Sequence, residues 1–211
     1  TLIVLDGYYS GQIVLKSGIT IKAKNPRQAI FSGAEPVTTT FTKISDNIYT
    51  TPVDKQVQEV FFNDRPMTWA RWPNMQWSEN WQEDKKWRIA GAGSSQGVFT
   101  CADFGELAGK DLVGAYNFMR YGKGNSCFSR RIFSFDGTKI TWDTEKFFST
   151  LYAGEDGSKG NAPNSKFYIA GALDLLDAPG EWMVKDSVLY IYPPLGRDPN
   201  QETIMITTND C

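Results

Sequence analysis

The chain has 211 residues, with 22 basic and 24 acidic side chains and a net charge of −2. This length allows one ordinary domain or two small ones, and the chain is apolar enough to bury a core. It has no excess of positive charge to neutralise phosphates, which argues against nucleic acid as the main partner. Because it contains no histidine, Ser-His-Asp and Cys-His catalysis and histidine zinc sites are excluded. No apolar run approaches the roughly 20 residues that a membrane-spanning helix needs.

The first 33 residues have the pattern of short strands separated by turns. Apolar runs of three to five residues are followed by turn signals such as Asp6-Gly7 and Ser32-Gly33. Strands this short and this closely spaced favour a solenoid, in which each rung contributes short strands, over a sandwich with longer strands.

From about residue 36 the predicted strands become longer and richer in aromatic residues. The sequence predicts hairpins over 59–69, over 131–142 around Asp136-Gly137, and over 182–192. Apolar residues of 165–176 fit one helical face, so this segment is the best helix candidate, ended by Pro179-Gly180. The sequence of 203–207 predicts a final short strand, and this strand is similar to the opening segment.

Six segments carry a resemblance to a known group of proteins. They are GITIKA (18–23), AIFSG (29–33), VFFNDRPM (60–67), ARWPN (70–74), LDAPGEW (176–182) and LYIYPP (189–194). In this order they resemble the N-terminal part of secreted right-handed parallel β-helix proteins that act on carbohydrates. The resemblance implies a mainly β fold with at most one or two short helices. The first β-helix rungs would span 1–35, a β-rich insertion 36–197, and a strand returning to the β-helix 198–211.

The resemblance also implies a function. It points to part of a secreted, extracellular or periplasmic glycoside hydrolase acting on a polysaccharide or oligosaccharide, with a polysaccharide lyase as a close variant. Both ends of the chain have the character of interior segments, so the partner would be the remaining rungs of the same protein. Those rungs would supply most catalytic residues, and this chain would shape the substrate cleft. The alternative is a non-catalytic β-helix surface, filament or glycan-binding protein that associates with copies of itself.

The segment around Trp69, Arg71, Trp72 and Asn74 is the most suggestive binding candidate. Sugar rings present C–H faces that pack on indole rings, and Arg and Asn offer forked hydrogen bonds to neighbouring hydroxyls. We expect Trp72 to be the most exposed of these side chains. The alternative is that the tryptophans fill the core of the insertion.

Asp174, Asp177 and Glu181 form an acidic cluster, of which Asp177 and Glu181 are the catalytic candidates. Glycosidases need two carboxylates at a defined separation across the scissile bond. The alternative is that Asp177 caps the turn at Pro179-Gly180 and that Glu181 is solvated.

Two further predictions concern a metal and a disulfide. Glu155 and Asp156, with Asn161, could hold calcium in a flexible acidic loop, although the spacing is not that of an EF-hand, and a solvated loop is the alternative. No other cofactor is expected. Cys101 and Cys127 are candidates for a disulfide in an oxidising compartment, or else are free thiols.

Overall fold

The computed structural model describes residues 1–10, 14–76, 79, 86–121, 126–144 and 162–208. Over these residues the chain is mainly β, as the sequence predicts, with twenty strands and four short 3-10 helices. The 3-10 helices are Ala102–Leu107, Leu173–Leu175, Pro194–Gly196 and Pro199–Gln201. None of the described helices is long and apolar enough to cross a membrane.

The first four strands form two small parallel sheets. They are β1 (Leu2–Val4), β2 (Gly7–Ser10), β3 (Ile21–Ala23) and β4 (Ala29–Ser32). β1 pairs with β3 and β2 pairs with β4, both in parallel, so the chain makes one circuit and returns beside itself. Parallel pairing of successive short strands is the arrangement that stacked rungs require.

The remaining strands build three antiparallel or mixed sheets. In chain order they are β5 (Ala34–Pro36), β6 (Thr42–Lys43), β7 (Tyr49–Pro52), β8 (Val57–Phe62), β9 (Arg65–Pro66), β10 (Thr68–Trp69), β11 (Arg71–Trp72), β12 (Arg88–Ile89), β13 (Val98–Thr100), β14 (Tyr116–Tyr121), β15 (Ser126–Phe135), β16 (Lys139–Trp142), β17 (Lys166–Ala170), β18 (Glu181–Lys185), β19 (Val188–Ile191) and β20 (Ile204–Thr208). Four strands pair in the order β5-β20-β8-β9 and five in the order β10-β18-β19-β7-β6. Seven form the largest sheet, in the order β11-β17-β14-β15-β16-β13 with β12 also beside β17.

Two apolar clusters form the core. One lies on the inner face of the seven-stranded sheet and contains Phe99, Phe104 and Phe167. The other joins the four- and five-stranded sheets through Phe62, Leu189 and neighbouring apolar residues. The segment 68–72 contains β10, which belongs to the five-stranded sheet, and β11, which belongs to the seven-stranded sheet. This segment therefore connects the two clusters.

The three predicted hairpins are confirmed. β8 pairs with β9, β15 with β16, and β18 with β19, all antiparallel. Their turns use residues with positive φ, namely Asn63 and Asp64, Gly137, and Asp186 and Ser187. Turn residues of this kind match the twist of the flanking strands, which is why the sequence signal was reliable.

The predicted helix over 165–176 is wrong. Residues 166–170 form β17, in which Phe167 and Ile169 are fully buried and alternate with the half-buried Lys166 and Tyr168. The same apolar residues fit a period of two as well as a helical face, and pairing of β17 with β14 decides for the strand. Only residues 173–175 turn into a 3-10 helix.

Cys101 and Cys127 are both free in the structure, and the predicted disulfide is not formed. Cys101 directly follows β13. This strand pairs with β16, and β16 in turn pairs with the Phe135 end of β15. Cys127 lies at the other end of β15, eight residues from Phe135, which is roughly 26 Å along an extended strand. A disulfide requires Cα atoms within about 7 Å.

The predicted return strand, β20, lies beside β5, the first strand after the two small parallel sheets. It pairs antiparallel with β5 and β8 rather than in parallel with a rung. Tyr8 and Tyr9 from β2 and Met205 from β20 line a shared small cavity of about 160 Å³. The chain therefore comes back to the edge of the two small parallel sheets. The parallel β-helix and the division at 35 and 197 remain predictions, and β5 spans the first boundary.

Candidate functional site

The outer face of the seven-stranded sheet carries large aromatic side chains. Along β14, Tyr116 and Phe118 are half-buried, and they alternate with Asn117 and Met119, which point into the core. Phe118 lies directly across from Tyr168 of β17, so the two rings share the outer face. They stack with centroids 4.8 Å apart and planes 8° from parallel.

Two tryptophans extend this pair in both directions. Trp69 contacts Tyr116 and Phe118, with ring centroids 5.8 and 6.3 Å apart. At the other end Trp87 meets Tyr168 edge-on at 5.2 Å. We call Trp69, Tyr116, Phe118, Tyr168 and Trp87 the aromatic row; all five side chains are half-buried. Every neighbouring pair lies within the distance at which rings attract, so the row is one continuous surface.

The ring of Trp69 is held in place by Met183 and by the backbone of Gly171. Its indole N–H points at the sulfur of Met183, 3.1 Å away. Gly171, with a φ of +85°, passes so close to the ring that an added Cβ would lie 2.5 Å from it. Only glycine combines this φ with this clearance, so the turn after β17 sets the orientation of Trp69.

Arginine side chains contact the row at three places. The guanidinium of Arg71 lies 3.8 Å from the ring centroid of Tyr168. Arg120 lies over Trp87 at 6.0 Å, and Arg131 lies over Tyr116 at 5.4 Å. Cations over aromatic faces are attracted by the ring quadrupole. The row therefore has a cation in its middle and one near each end.

Arg71 has a structural role in addition to its ring contact. Its guanidinium is buried and donates to the carbonyl oxygens of Pro73, at 2.9 Å, and Lys86, at 2.8 Å. Burial lowers the pKa of Arg71, but arginine remains charged because its ordinary pKa is so high. It holds residues 73 and 86 against Tyr168 and so supports the row.

The four predicted binding residues separate in the structure. Trp69 is half-buried in the aromatic row, and Arg71 is only 6% exposed; the binding of a sugar by these two residues remains a prediction. Trp72, the next residue of β11, points to the core and is only 7% exposed, so the prediction that it is the most exposed is wrong. Side chains alternate along a strand, which places neighbours on opposite faces. Asn74 follows β11 and donates to Asp177 at 2.9 Å.

Trp72 instead anchors a polar cluster at the rim of the core. Its indole N–H donates to Glu106 at 2.7 Å. Arg88 lies 4.8 Å above the indole ring and forms ion pairs with Glu106 at 3.0 Å and Asp103 at 2.9 Å. The hydrogen bond from Trp72, together with Arg88, lowers the pKa of Glu106. The cluster holds the 3-10 helix at 102–107 against the sheet.

The acidic candidates have distinct environments. Asp177 is exposed and accepts from Lys110 at 2.8 Å as well as from Asn74. Asp174 is exposed as well, and its carboxylate accepts from the backbone N–H of Asp111 at 2.7 Å. These contacts tie the turn at 174–180 to the neighbouring loops.

Glu181 is fully buried in β18. Its carboxylate accepts from the backbone N–H groups of Arg71, Asp177 and Ala178 at 3.2–3.3 Å. Burial raises the pKa of Glu181 to about 8, against the effect of these three donors. A raised pKa suits a general acid, but both oxygens face backbone and none faces solvent, so the geometry favours a role in positioning β11 and the turn before β18.

The calcium candidates Glu155 and Asp156 lie outside the described residues, as does Asn161. Among the described residues no group of three or more Asp, Glu or Cys side chains is placed to hold a metal ion.

Sequence reasoning missed most of the aromatic row. Tyr116, Phe118, Tyr168, Arg120 and Arg131 were not candidates. A signal was present in β14, where the sequence YNFMRY places large residues on both faces of the strand. A strand that needs only one buried face would carry polar residues at the other parity.

Comparison with known proteins gives a fold relationship. No protein-family model and no curated protein sequence matches the chain. A solved structure named glycoside hydrolase matches with a TM-score of 0.67 and 16% sequence identity. The match covers 98% of this chain and 38% of that protein, so this chain spans well under half of its length. The chain thus shares its fold with part of a glycoside hydrolase.

Proposed function

We propose that this chain is part of a secreted carbohydrate-active enzyme that hydrolyses glycosidic bonds of a polysaccharide, and that the aromatic row forms one wall of its substrate cleft. The observation that carries the proposal is the fold shared with part of a glycoside hydrolase over 98% of this chain. Since one fold can host many activities, the site must supply the second argument. The secreted location is part of this proposal and follows from a polysaccharide substrate.

The aromatic row supports a sugar ligand. It offers a continuous set of aromatic side chains that are half-buried rather than sealed in the core. Sugar rings present C–H faces to aromatic rings, and neighbouring arginines can donate to sugar oxygens. A row of five rings suits a chain of sugars better than a single small molecule.

The rungs support a continuation of the β-helix. Apolar side chains at Leu2, Ile3 and Leu5 are each more than half exposed, and Ile30 and Phe31 are also exposed. Soluble proteins rarely leave such a patch uncovered. We propose that further parallel rungs of the same protein cover it and carry the catalytic carboxylates, which act as acid and as nucleophile or base.

The test is an assay of reducing-end release by the full-length protein on a panel of polysaccharides. On the substrate that is cleaved, Phe118→Ala should raise KM about three- to tenfold, because a ring contact is lost. Phe61→Ala is the matched control, since Phe61 is a half-buried strand residue of the four-stranded sheet. Release of no product from any polysaccharide, or equal KM values for the two variants, would contradict the proposal.

The exposed rungs also favour a second candidate, a non-catalytic protein that assembles with copies of itself. An uncovered rung edge presents backbone groups for strand pairing. Sedimentation of the full-length protein distinguishes the two. A sedimenting species whose size increases with protein concentration, without turnover, indicates assembly. A monomer with turnover indicates the enzyme.

A further inference from the structure

We propose that the aromatic row, with Arg120 and Arg131, binds an anionic polysaccharide whose sugars carry carboxylate or sulfate groups. This inference rests on the proposed function only in that the ligand is a polysaccharide. It adds the charge of that ligand and the residues that select it.

The charge of the sheet differs from that of the chain. The described strands β11, β12, β14, β15 and β17 contain no Asp or Glu, although the whole chain has a net charge of −2. Their basic residues are Arg71, Arg88, Arg120, Arg130, Arg131 and Lys166. Positive charge is therefore concentrated where the aromatic row lies, and this charge complements an anionic ligand.

Two of the arginines are already committed to the fold. Arg71 donates to backbone carbonyls, and Arg88 is paired with Asp103 and Glu106. Their guanidinium groups are occupied by partners within the protein, so they contribute less to the binding of an external ligand.

Arg120 and Arg131 differ because no carboxylate of the described residues is paired with either of them. Arg120 has its contact with the ring of Trp87. Arg131 is exposed, lies over Tyr116 and donates from Nε to the hydroxyl of that tyrosine at 3.3 Å. A guanidinium stacked on a ring still presents N–H groups at its edge, and their fork matches a carboxylate or sulfate.

The positions of these two arginines suit a charged sugar chain. Arg131 lies over Tyr116, next to the Trp69 end of the row, and Arg120 lies over Trp87 at the other end. A sugar that packs on the rings between them can direct its anionic group to either arginine. Neutral sugars would gain the ring contacts and uncharged hydrogen bonds that glutamine can also donate, so the charge of the arginines supplies the selectivity.

Nucleic acid is the competing polyanion. Its binding depends on neutralising many closely spaced phosphates. Two arginines that lack a carboxylate partner among the described residues, in a chain of net charge −2, are too few for that, whereas they are enough for sugars with separated charges. Binding of nucleic acid is therefore an outcome that the test must distinguish.

The experiment measures binding of the full-length protein to matched polymers by calorimetry. Polygalacturonate is compared with its methyl ester, and dextran sulfate with dextran, so that each anionic polymer has a neutral partner. We expect tighter binding to the anionic member of at least one pair, weakening with added salt. The pair that responds tells whether the sites select carboxylate or sulfate.

The variant Arg120→Gln/Arg131→Gln should weaken anionic binding about tenfold and leave neutral binding unchanged, because one exposed ion pair contributes roughly two- to fivefold. The control variant Arg65→Gln/Lys185→Gln removes the same charge from exposed residues of other sheets and should bind like the wild type. Unchanged thermal unfolding establishes that the variants are folded.

Equal binding within both polymer pairs would overturn the inference. So would equal loss in the two double variants, or tighter binding to single-stranded DNA than to either anionic polysaccharide. Cleavage of a neutral polysaccharide, together with equal binding within both polymer pairs, overturns this inference and leaves the proposed function standing. Selective binding of an anionic polysaccharide without cleavage supports this inference while the proposed hydrolysis fails.

Discussion

The buried carboxyl of Glu181 should make the stability of the protein fall as the pH rises from 5 to 8. Its pKa is about 8 in the folded protein because burial disfavours the charged form, against an ordinary value of 4.5. Between these values the folded state holds a proton that the unfolded state releases. The contribution of Glu181 to the free energy of unfolding is therefore fully present below pH 4.5 and is lost as the pH rises through 8.

The magnitude follows from the size of the shift. Between pH 5 and pH 8 the loss is about 3 to 4 kcal/mol, since each unit of pKa difference corresponds to 1.36 kcal/mol. For a chain of this length the melting temperature should fall by roughly 10 °C over that range. The range from pH 5 to 8 suits this measurement because the chain has no histidine, the side chain that ordinarily titrates in this range.

The assay is urea unfolding at intervals of half a pH unit, followed by fluorescence. In Glu181→Gln the slope between pH 5 and 8 should disappear. The matched control is Glu59→Gln, which removes an exposed carboxylate of β8 and should keep the wild-type slope. A stability that is flat or rising from pH 5 to 8 would refute the reasoning, as would a slope that survives in Glu181→Gln.

Three further outcomes are expected. Trp72→Phe should lower the free energy of unfolding by about 1 to 3 kcal/mol, because it removes an indole N–H that donates to a carboxylate; sugar binding should be unchanged, and a loss of binding without a loss of stability would contradict this placement. Gly171→Ala should destabilise the protein by about 1 to 3 kcal/mol and weaken sugar binding, because its Cβ would enter the ring of Trp69; a variant as stable as the wild type would argue against the close approach. Alkylation of the denatured, unreduced protein should label both Cys101 and Cys127, and a peptide pair linked through these residues in mass spectrometry would contradict the free thiols.

Local signals in the sequence were sufficient for the hairpins. The turn at Asp136-Gly137 requires a residue with positive φ, and the flanking residues alternate as strands do. The same holds for the short strands of the first 33 residues, although their parallel pairing depends on contacts about 20 residues apart.

The candidate site was harder to predict because its residues are brought together by long-range pairing. Phe118 and Tyr168 stack through the register between β14 and β17, which are 50 residues apart in sequence. The orientation of Trp72 depends on which face of β11 meets the core, and a two-residue strand has no periodicity from which to infer it. Burial of Glu181 likewise depends on the pairing of β18 with β10 and β19.

We propose that the aromatic row forms a wall of the substrate cleft of a polysaccharide hydrolase. It is tested most directly by reducing-end release from polysaccharides, measured with the full-length protein and its Phe118→Ala variant. The account predicts turnover by the wild type and a KM raised about three- to tenfold in the variant. It is contradicted if no polysaccharide is cleaved, or if one is cleaved with a KM that Phe118→Ala leaves unchanged.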